Sequence, residues 1–599
     1  MHLIPRLALA AACWIACGSA STGEPAATTT RIPVYSLDGP LTESGVVESS
    51  LVDGPPDDQR PVTHFDLIRS LSRAAKDAEV KGVAVHADNA EMNFAQLQEI
   101  RRRLLDIRKA GKDVWFYTEN LTNATALIGS TANHFALLPA AEIDFHGIHA
   151  ESMYFKELLD KAGVRAEVIH IGDYKSFGEE FWRTGPSDEA RQQEEALVGS
   201  VFDQIVADVA SARNLPVEHV LAVINDGTTD AAGIVAAGLA DRLMHRTDFV
   251  KQLRETYGEE AEFDNAYQMP ESDGPSLGNL LGLLKLGSGN DANTGHRRDF
   301  VAVVAMEGDI TDESVGTVRS QILALLKEPK AKALVLRIDS PGGSALASEV
   351  LWEATDEWKA SGKPLVASMG GTAASGGYYI ACGANRIFAE PGTITGSIGV
   401  VGMKFVFDAA LAKLGIHTHS VSRGRLAGWS SPTRGYTPEE REIVRESMRK
   451  TYAMFKQRVS DGRGKSLRQD LEALAGGRVY TGAQALQFGL VDEIGGLRES
   501  VHHASTLAGL DKPDIKLLPQ PQSPLERFLD PTSLPDDGEI IRTKATDGFA
   551  RSLLATLRGN PMAGLLPGRA WAAVGRVLHR IQAFQQSRVL LLGPDIDLR

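Results

Sequence analysis

The sequence predicts an α/β fold of parallel strands layered with helices, written twice in one chain. Three observations carry that expectation. Short Val-, Leu- and Ile-rich runs alternate with segments of helical spacing. Phe300–Met306 and Ala333–Ile338 read as buried strands, Ser348–Ser361 as a helix and Pro364–Met369 as the next strand. Part of the chain recurs at an offset held within one residue. At 252, Ala132, Asn133, Pro139 and Gly147 fall opposite Ala384, Asn385, Pro391 and Gly399; at 251, Gly238–Asp241 falls opposite Gly489–Asp492. Finally, 599 residues exceed one compact core, and 43% hydrophobic with 23% charged residues is an ordinary globular composition.

The same arithmetic excludes several classes. No run of about 20 apolar residues occurs, so no transmembrane helix is expected. A net charge of −14 argues against nucleic acid as the main partner. Of three cysteines, Cys13 and Cys17 lie at the very start, so Cys382 alone remains in the body. Neither a disulfide framework nor a cysteine-based zinc site is possible there. No metal and no cofactor is expected.

Taken in order, residues 1–20 read as an export segment. Arg6 precedes the apolar run Leu7–Ile15, and small residues follow. Ile15-Ala16-Cys17-Gly18 resembles a lipoprotein signal, with Cys17 the lipidation candidate; cleavage after Ala20 and retention as an anchor are the alternatives. Residues 21–59 are linker and first strand, 60–260 the first repeat, 261–298 a linker, 299–510 the second repeat and 511–599 a C-terminal tail. Within the tail no acidic residue occurs between Asp547 and Asp595, while Arg551, Arg558, Arg569, Arg576, Arg580 and Arg588 do. Trp571, Val574, Leu578 and Ile581 form an apolar stripe at helical spacing. A basic amphipathic helix of this kind either lies on an anionic membrane surface or docks its stripe on the acidic body. The first reading makes Gly548–Pro594 a second membrane contact.

Chemistry is expected at Gly370–Gly377, where Ser375 sits at a turn between a strand and a helix near Tyr378–Cys382. A serine there is either a nucleophile near a helix N-terminus or an ordinary N-cap. Upstream, Ser340-Pro341-Gly342-Gly343-Ser344 closes a strand. Its glycines let backbone N–H groups approach a ligand, as one arm of an oxyanion hole with the Gly376 N–H as the other, or they simply make a turn. No histidine occurs between His296 and His417, so a lysine base is considered. Such a lysine must be neutral, which takes roughly 4 kcal/mol of burial and neighbours. Lys175, in Gly172–Phe177, has residues around it that could bury it. The repeat raises its weight. Ser375 falls opposite Ala124, and Lys175 falls opposite Ala427. Each copy has lost what the other keeps, as one composite site shared by two duplicated domains would leave.

Four segments now resemble the signal peptide peptidase A (protease IV) family in its long tandem-repeat form. They are ASGGYY (Ala374–Tyr379), RIDSPGGS (Arg337–Ser344), TGSIG (Thr395–Gly399) and DYKSFGEEF (Asp173–Phe181). The resemblance spans about residues 60–510. It implies two tandem crotonase/Clp-like domains of ββα spiral units. It implies a Ser-Lys dyad with Ser375 as nucleophile and Lys175 as general base, Ser397 orienting the lysine, and Gly343 and Gly376, with Gly342 beside them, at the oxyanion. It further implies a membrane-associated homo-oligomer, a tetramer, that cuts remnant signal peptides on the periplasmic side of a bacterial cell envelope. The chain departs from the family at its lipoprotein-like N-terminus and in its extra tail. A catalytically inactive membrane scaffold or chaperone is the alternative. A CoA-handling crotonase relative is a third reading, against which the export segment argues.

Overall fold

A computed structural model describes residues 30–44, 62–269, 298–518 and 589–592. Cys17 and the rest of the export segment, residues 270–297 of the linker and the stripe Trp571–Ile581 lie outside these residues.

The first copy contains β1 (Arg31–Ser36), β2 (Gly82–His86), β3 (Asp113–Thr122), β4 (His134–Asp144), β5 (Arg165–Ile171), β6 (Arg242–Leu243) and β7 (Glu262–Asp264). The second contains β8 (Phe300–Glu307), β9 (Ala331–Ser340), β10 (Gly342–Ser344), β11 (Leu365–Ala374), β12 (Arg386–Ala389), β13 (Ile394–Gly396), β14 (Val400–Val406), β15 (Val479–Thr481), β16 (Glu493–Ile494) and β17 (Asp514–Leu518). A last strand, β18, is Leu590–Leu592. The two main sheets have the same parallel order. One runs β6-β4-β3-β2-β1-β7; the other runs β16-β12-β11-β9-β8-β17. The duplication read from sequence is therefore a duplication of topology. β7 and β17 extend these sheets slightly past residues 260 and 510.

Parallel strands covered on both faces need continuous apolar runs, and β8, Phe-Val-Ala-Val-Val-Ala-Met-Glu, is buried at every position through Met306. Two of the repeated pairs at the 251–252 offset, Asn133/Asn385 and Asp241/Asp492, are polar anchors. Asn133 Oδ1 accepts the Val114 N–H at 3.0 Å, and Asn385 Oδ1 accepts the Leu365 N–H at 2.8 Å. Asp241 accepts the Phe135 N–H, and Asp492 accepts the Ile387 N–H. Each pins the start of a central strand to the loop beside it. Deleting either partner would leave a buried donor unmet.

The two copies are joined by strands that are not repeat equivalents. β5 and β14 pair antiparallel over seven residues, from Val400 opposite Ile171 to Val406 opposite Arg165. This ladder extends into a small sheet of order β10-β18-β14-β5. A buried ionic cluster also joins the copies. Arg337, on β9, reaches Glu43 through Nε at 3.0 Å and Nη2 at 2.9 Å, with Glu99 at 3.9 Å. His64 in turn contacts Glu99 at 3.0 Å. The remaining guanidinium nitrogen of Arg337, Nη1, donates to Ser368 Oγ and Met369 O.

One local expectation is corrected. Gly370–Ala374 is not a turn: β11 continues through it to Ala374, with a register irregularity between Met369 and Ala373. Neighbours β9 and β13 on either side supply ladder partners for this glycine-rich stretch. The helix that follows is Gly376–Ala381.

Candidate active site

The ladder between β5 and β14 builds the site. With Val400 opposite Ile171, the residues just after β5 meet those just before β14. Lys175 comes from the first group and Ser397 from the second. Ser375 arrives from the end of β11, whose last residues pair with β13 immediately before Ser397. Three distant stretches thus meet at one point.

Lys175 Nζ lies 2.8 Å from Ser375 Oγ, 2.9 Å from Ser397 Oγ and 3.1 Å from the Ser397 carbonyl oxygen. Lys175 is only 3% exposed, and Ser375 and Ser397 are fully buried. Burial pushes the lysine well below its ordinary value, and no carboxylate opposes that effect. A neutral amine has two N–H donors and one lone pair. Three neighbours at hydrogen-bond distance match that set: two acceptors on Ser397 and one hydroxyl on Ser375.

Backbone conformation aims the two serines. Ser375 has φ 53° and ψ −109°, and Ser397 has φ 54°. Non-glycine residues are rarely held at positive φ, and strain of this kind gathers at functional positions. The N-cap reading of Ser375 is corrected, because its side chain makes no capping hydrogen bond. The corresponding junction in the first copy behaves differently. There Thr122 caps the helix Asn123–Gly129 through a hydrogen bond from the Thr125 N–H. Ala124 lies in that helix, where no hydroxyl is offered.

The glycine loop sits beside the serine. Gly342 O accepts from Ile310 N, and Ile310 O accepts from Ser344 N. Along a strand successive N–H groups face opposite edges, so the Gly343 N–H is turned to the edge away from Ile310. Gly343 must lack a side chain, because a Cβ there would collide with the Ile310 carbonyl. A Cβ on Gly376 would lie 3.1 Å from Gly342 Cα, which places the helix start after Ser375 directly against this loop.

Gly477 is a site residue that motif reading missed. A Cβ there would lie 2.5 Å from the Lys175 backbone nitrogen. The adjoining segment holds the site together: Tyr174 N donates to Gly476 O, Gly477 N to Ile398 O, and Ser397 N to Arg478 O. The Gly476-Gly477 pair before β15 was the only available signal.

Comparison with known proteins gives the family. The model of peptidase family S49 matches twice, at residues 106–259 and 357–511, and that of Clp protease matches residues 298–393. The chain is 32% identical to Protease 4 of Salmonella typhi over 462 residues, 74% of this chain and 72% of the relative. It is 31% identical to Protease 4 of Haemophilus influenzae, over 75% of this chain and 73% of the relative. Against the chloroplastic serine protease SPPA of Arabidopsis thaliana it is 30% identical, over 74% of this chain and 65% of the relative. The fold is accordingly two tandem Clp/crotonase-like α/β domains, and the chain is a serine peptidase. It belongs to peptidase family S49, in the tandem-repeat form of signal peptide peptidase A.

Proposed function

We propose that the chain is an endopeptidase of exported or membrane-associated polypeptides, remnant signal peptides foremost, acting through Ser375 and Lys175. The 2.8 Å contact between Lys175 Nζ and Ser375 Oγ, in a buried setting that favours neutral lysine, is the observation that carries it. Ser375 Oγ attacks the scissile carbonyl while its proton passes to the Lys175 lone pair. The oxyanion that forms is met by the N–H groups of Gly343 and Gly376, with Gly342 allowing the close approach. Lys175 then gives its proton to the leaving amine. In the second half it takes a proton from water as that water attacks the acyl-serine ester, and returns it to Ser375 Oγ as the ester bond breaks and the acid product leaves. Ser397, accepting two hydrogen bonds from Nζ, keeps the lone pair turned toward Ser375.

The inactive-scaffold reading is not favoured, because Ser375, Lys175 and Ser397 are all present and within hydrogen-bond distance. The proposal extends to a homo-oligomer in the bacterial cell envelope, with the body on the periplasmic side and the N-terminal segment as its attachment. Among the described residues no helix is long and apolar enough to cross a membrane.

The pH dependence tests the base. The protonated lysine is inactive, and burial lowers its pKa, so kcat/KM rises with pH through that lowered value and levels off above it. A histidine base would place the rise near 6.5. A peptide-hydrolysis profile already flat from about pH 6 upward would remove lysine as the base.

A further inference from the structure

The small sheet contains a strand that belongs to neither repeat. β18, from the C-terminal tail, lies between β10 and β14. It runs antiparallel to the glycine strand, with Leu592 opposite Gly342, Leu591 opposite Gly343 and Leu590 opposite Ser344. On its other side Leu590 pairs with Val401 of β14. The Ala345 N–H donates to Val589 O at 3.2 Å. β18 therefore takes the edge to which the Gly343 N–H is turned. Its C-terminal end lies at Gly342, the residue against which Gly376 packs.

This is how an extended peptide is held when it adds a strand to an exposed edge. Main-chain hydrogen bonds hold it, and alternate side chains enter pockets. Leu590 is 1% exposed and packs among Phe177, Phe181, Val401, Met403 and Phe405. Phe177 and Phe181 follow Lys175 closely in sequence, and Val401 follows Ser397, so the pocket and the reacting groups share the same supports. Seventy residues, 519–588, separate β17 from Val589, ample chain to span the distance. The segment Ser-Arg-Val-Leu-Leu-Leu (587–592) is a cation followed by an apolar run. An export signal likewise sets positive charge before an apolar run, although a longer one.

We propose that the C-terminal strand Leu590–Leu592 occupies this chain's own substrate groove, as a tethered competitor for leucine-rich peptides. The inference rests on Ser375 being the nucleophile. It also names the substrate chemistry: an extended apolar segment, antiparallel to Gly342–Ser344, with a leucine-sized side chain in the Phe177 pocket. A tether of this kind raises the local concentration of the competitor to about the millimolar range. An outside peptide must then displace it to bind.

The test reads binding rather than hydrolysis. In the full-length Ser375→Ala protein, fluorescence anisotropy follows a fluorescein-labelled peptide of sequence SRVLLL. Two further substitutions are added separately. Leu590→Asp places a charge in the apolar pocket. Leu591→Pro removes a ladder N–H. Each is expected to tighten peptide binding at least tenfold over the unaltered tail, while Leu590→Met leaves it weak. Equal affinity in all four proteins, including no binding in any, overturns the proposal. An affinity for the unaltered tail that falls as protein concentration rises assigns the strand to a second copy, and overturns it as well. Because no bond is cut, failure here is distinct from failure of the serine-lysine chemistry, which activity measurements report.

Discussion

Replacing Lys175 by methionine is expected to lower kcat at least 10²-fold, and up to about 10⁴-fold, with the fold retained. Methionine keeps the apolar stem and length but offers no lone pair to Ser375. It also relieves the burial of an amine, so the melting temperature should hold or rise. Ser375→Ala should abolish turnover, since the hydroxyl that forms the ester is gone. Ser397→Ala is expected to be milder, about tenfold in kcat. Nζ would lose one of its three partners, worth roughly 1–1.5 kcal/mol, while the Ser397 carbonyl remains. Peptide hydrolysis with circular dichroism and thermal melts checks the series. A Lys175→Met protein keeping more than about 10% of kcat would contradict lysine as the base. A Ser397→Ala loss as large as that of Lys175→Met would mean that Ser397 does more than orient.

The largest stability effect is expected at Arg337. Its guanidinium is fully buried and satisfies Glu43 in a bidentate pair, with Glu99 close by. Removing one member of a buried ion pair strands the other, at about 3–5 kcal/mol. Arg337→Ala strands the Glu43 carboxylate, while Glu99 keeps its contact with His64. A fall in melting temperature on the order of 10 °C follows for domains of this size. Pairing Arg337→Met with Glu43→Gln should recover a large part, because the orphaned charge is gone. Loss under about 1 kcal/mol in Arg337→Ala, read by urea denaturation, would mean the cluster is already neutralised. The effect should reach activity too. β9 leads into Ser340–Ser344, and the pair fastens that loop to the copy that supplies Lys175.

Much of this site was legible in the chain. Ser375, Lys175 and Ser397 each lie in a short motif, and the opposed Ala124 and Ala427 point to one shared centre. The polar anchors Asn133 and Asn385 recur because each pins an equivalent strand start, which is why the offset survives there. What was not legible depends on long-range pairing. β5 and β14 are not equivalent in the repeat, and nothing local in Arg165–Ile171 names Val400–Val406 as its partner. Gly477 matters only once Lys175 packs against it. Gly370–Ala374 reads as a turn by composition, but flanking strands override that preference. Arg337 lies within the RIDSPGGS motif, yet its partner Glu43 lies 294 residues away. For the tail, the basic stripe in Gly548–Pro594 leaves a membrane surface or the acidic body as its partner. The end of that segment, Leu590–Leu592, is a strand against the glycine loop.

In the proposed mechanism neutral Lys175 activates Ser375. Labelling with a fluorophosphonate across a pH series, with the adduct located by tandem mass spectrometry, tests it most directly. The predicted result is a single adduct on Ser375 whose rate of formation rises with pH, and its absence from Lys175→Met protein. An adduct on a different serine, or labelling of Ser375 at the same rate with methionine at 175, would contradict it.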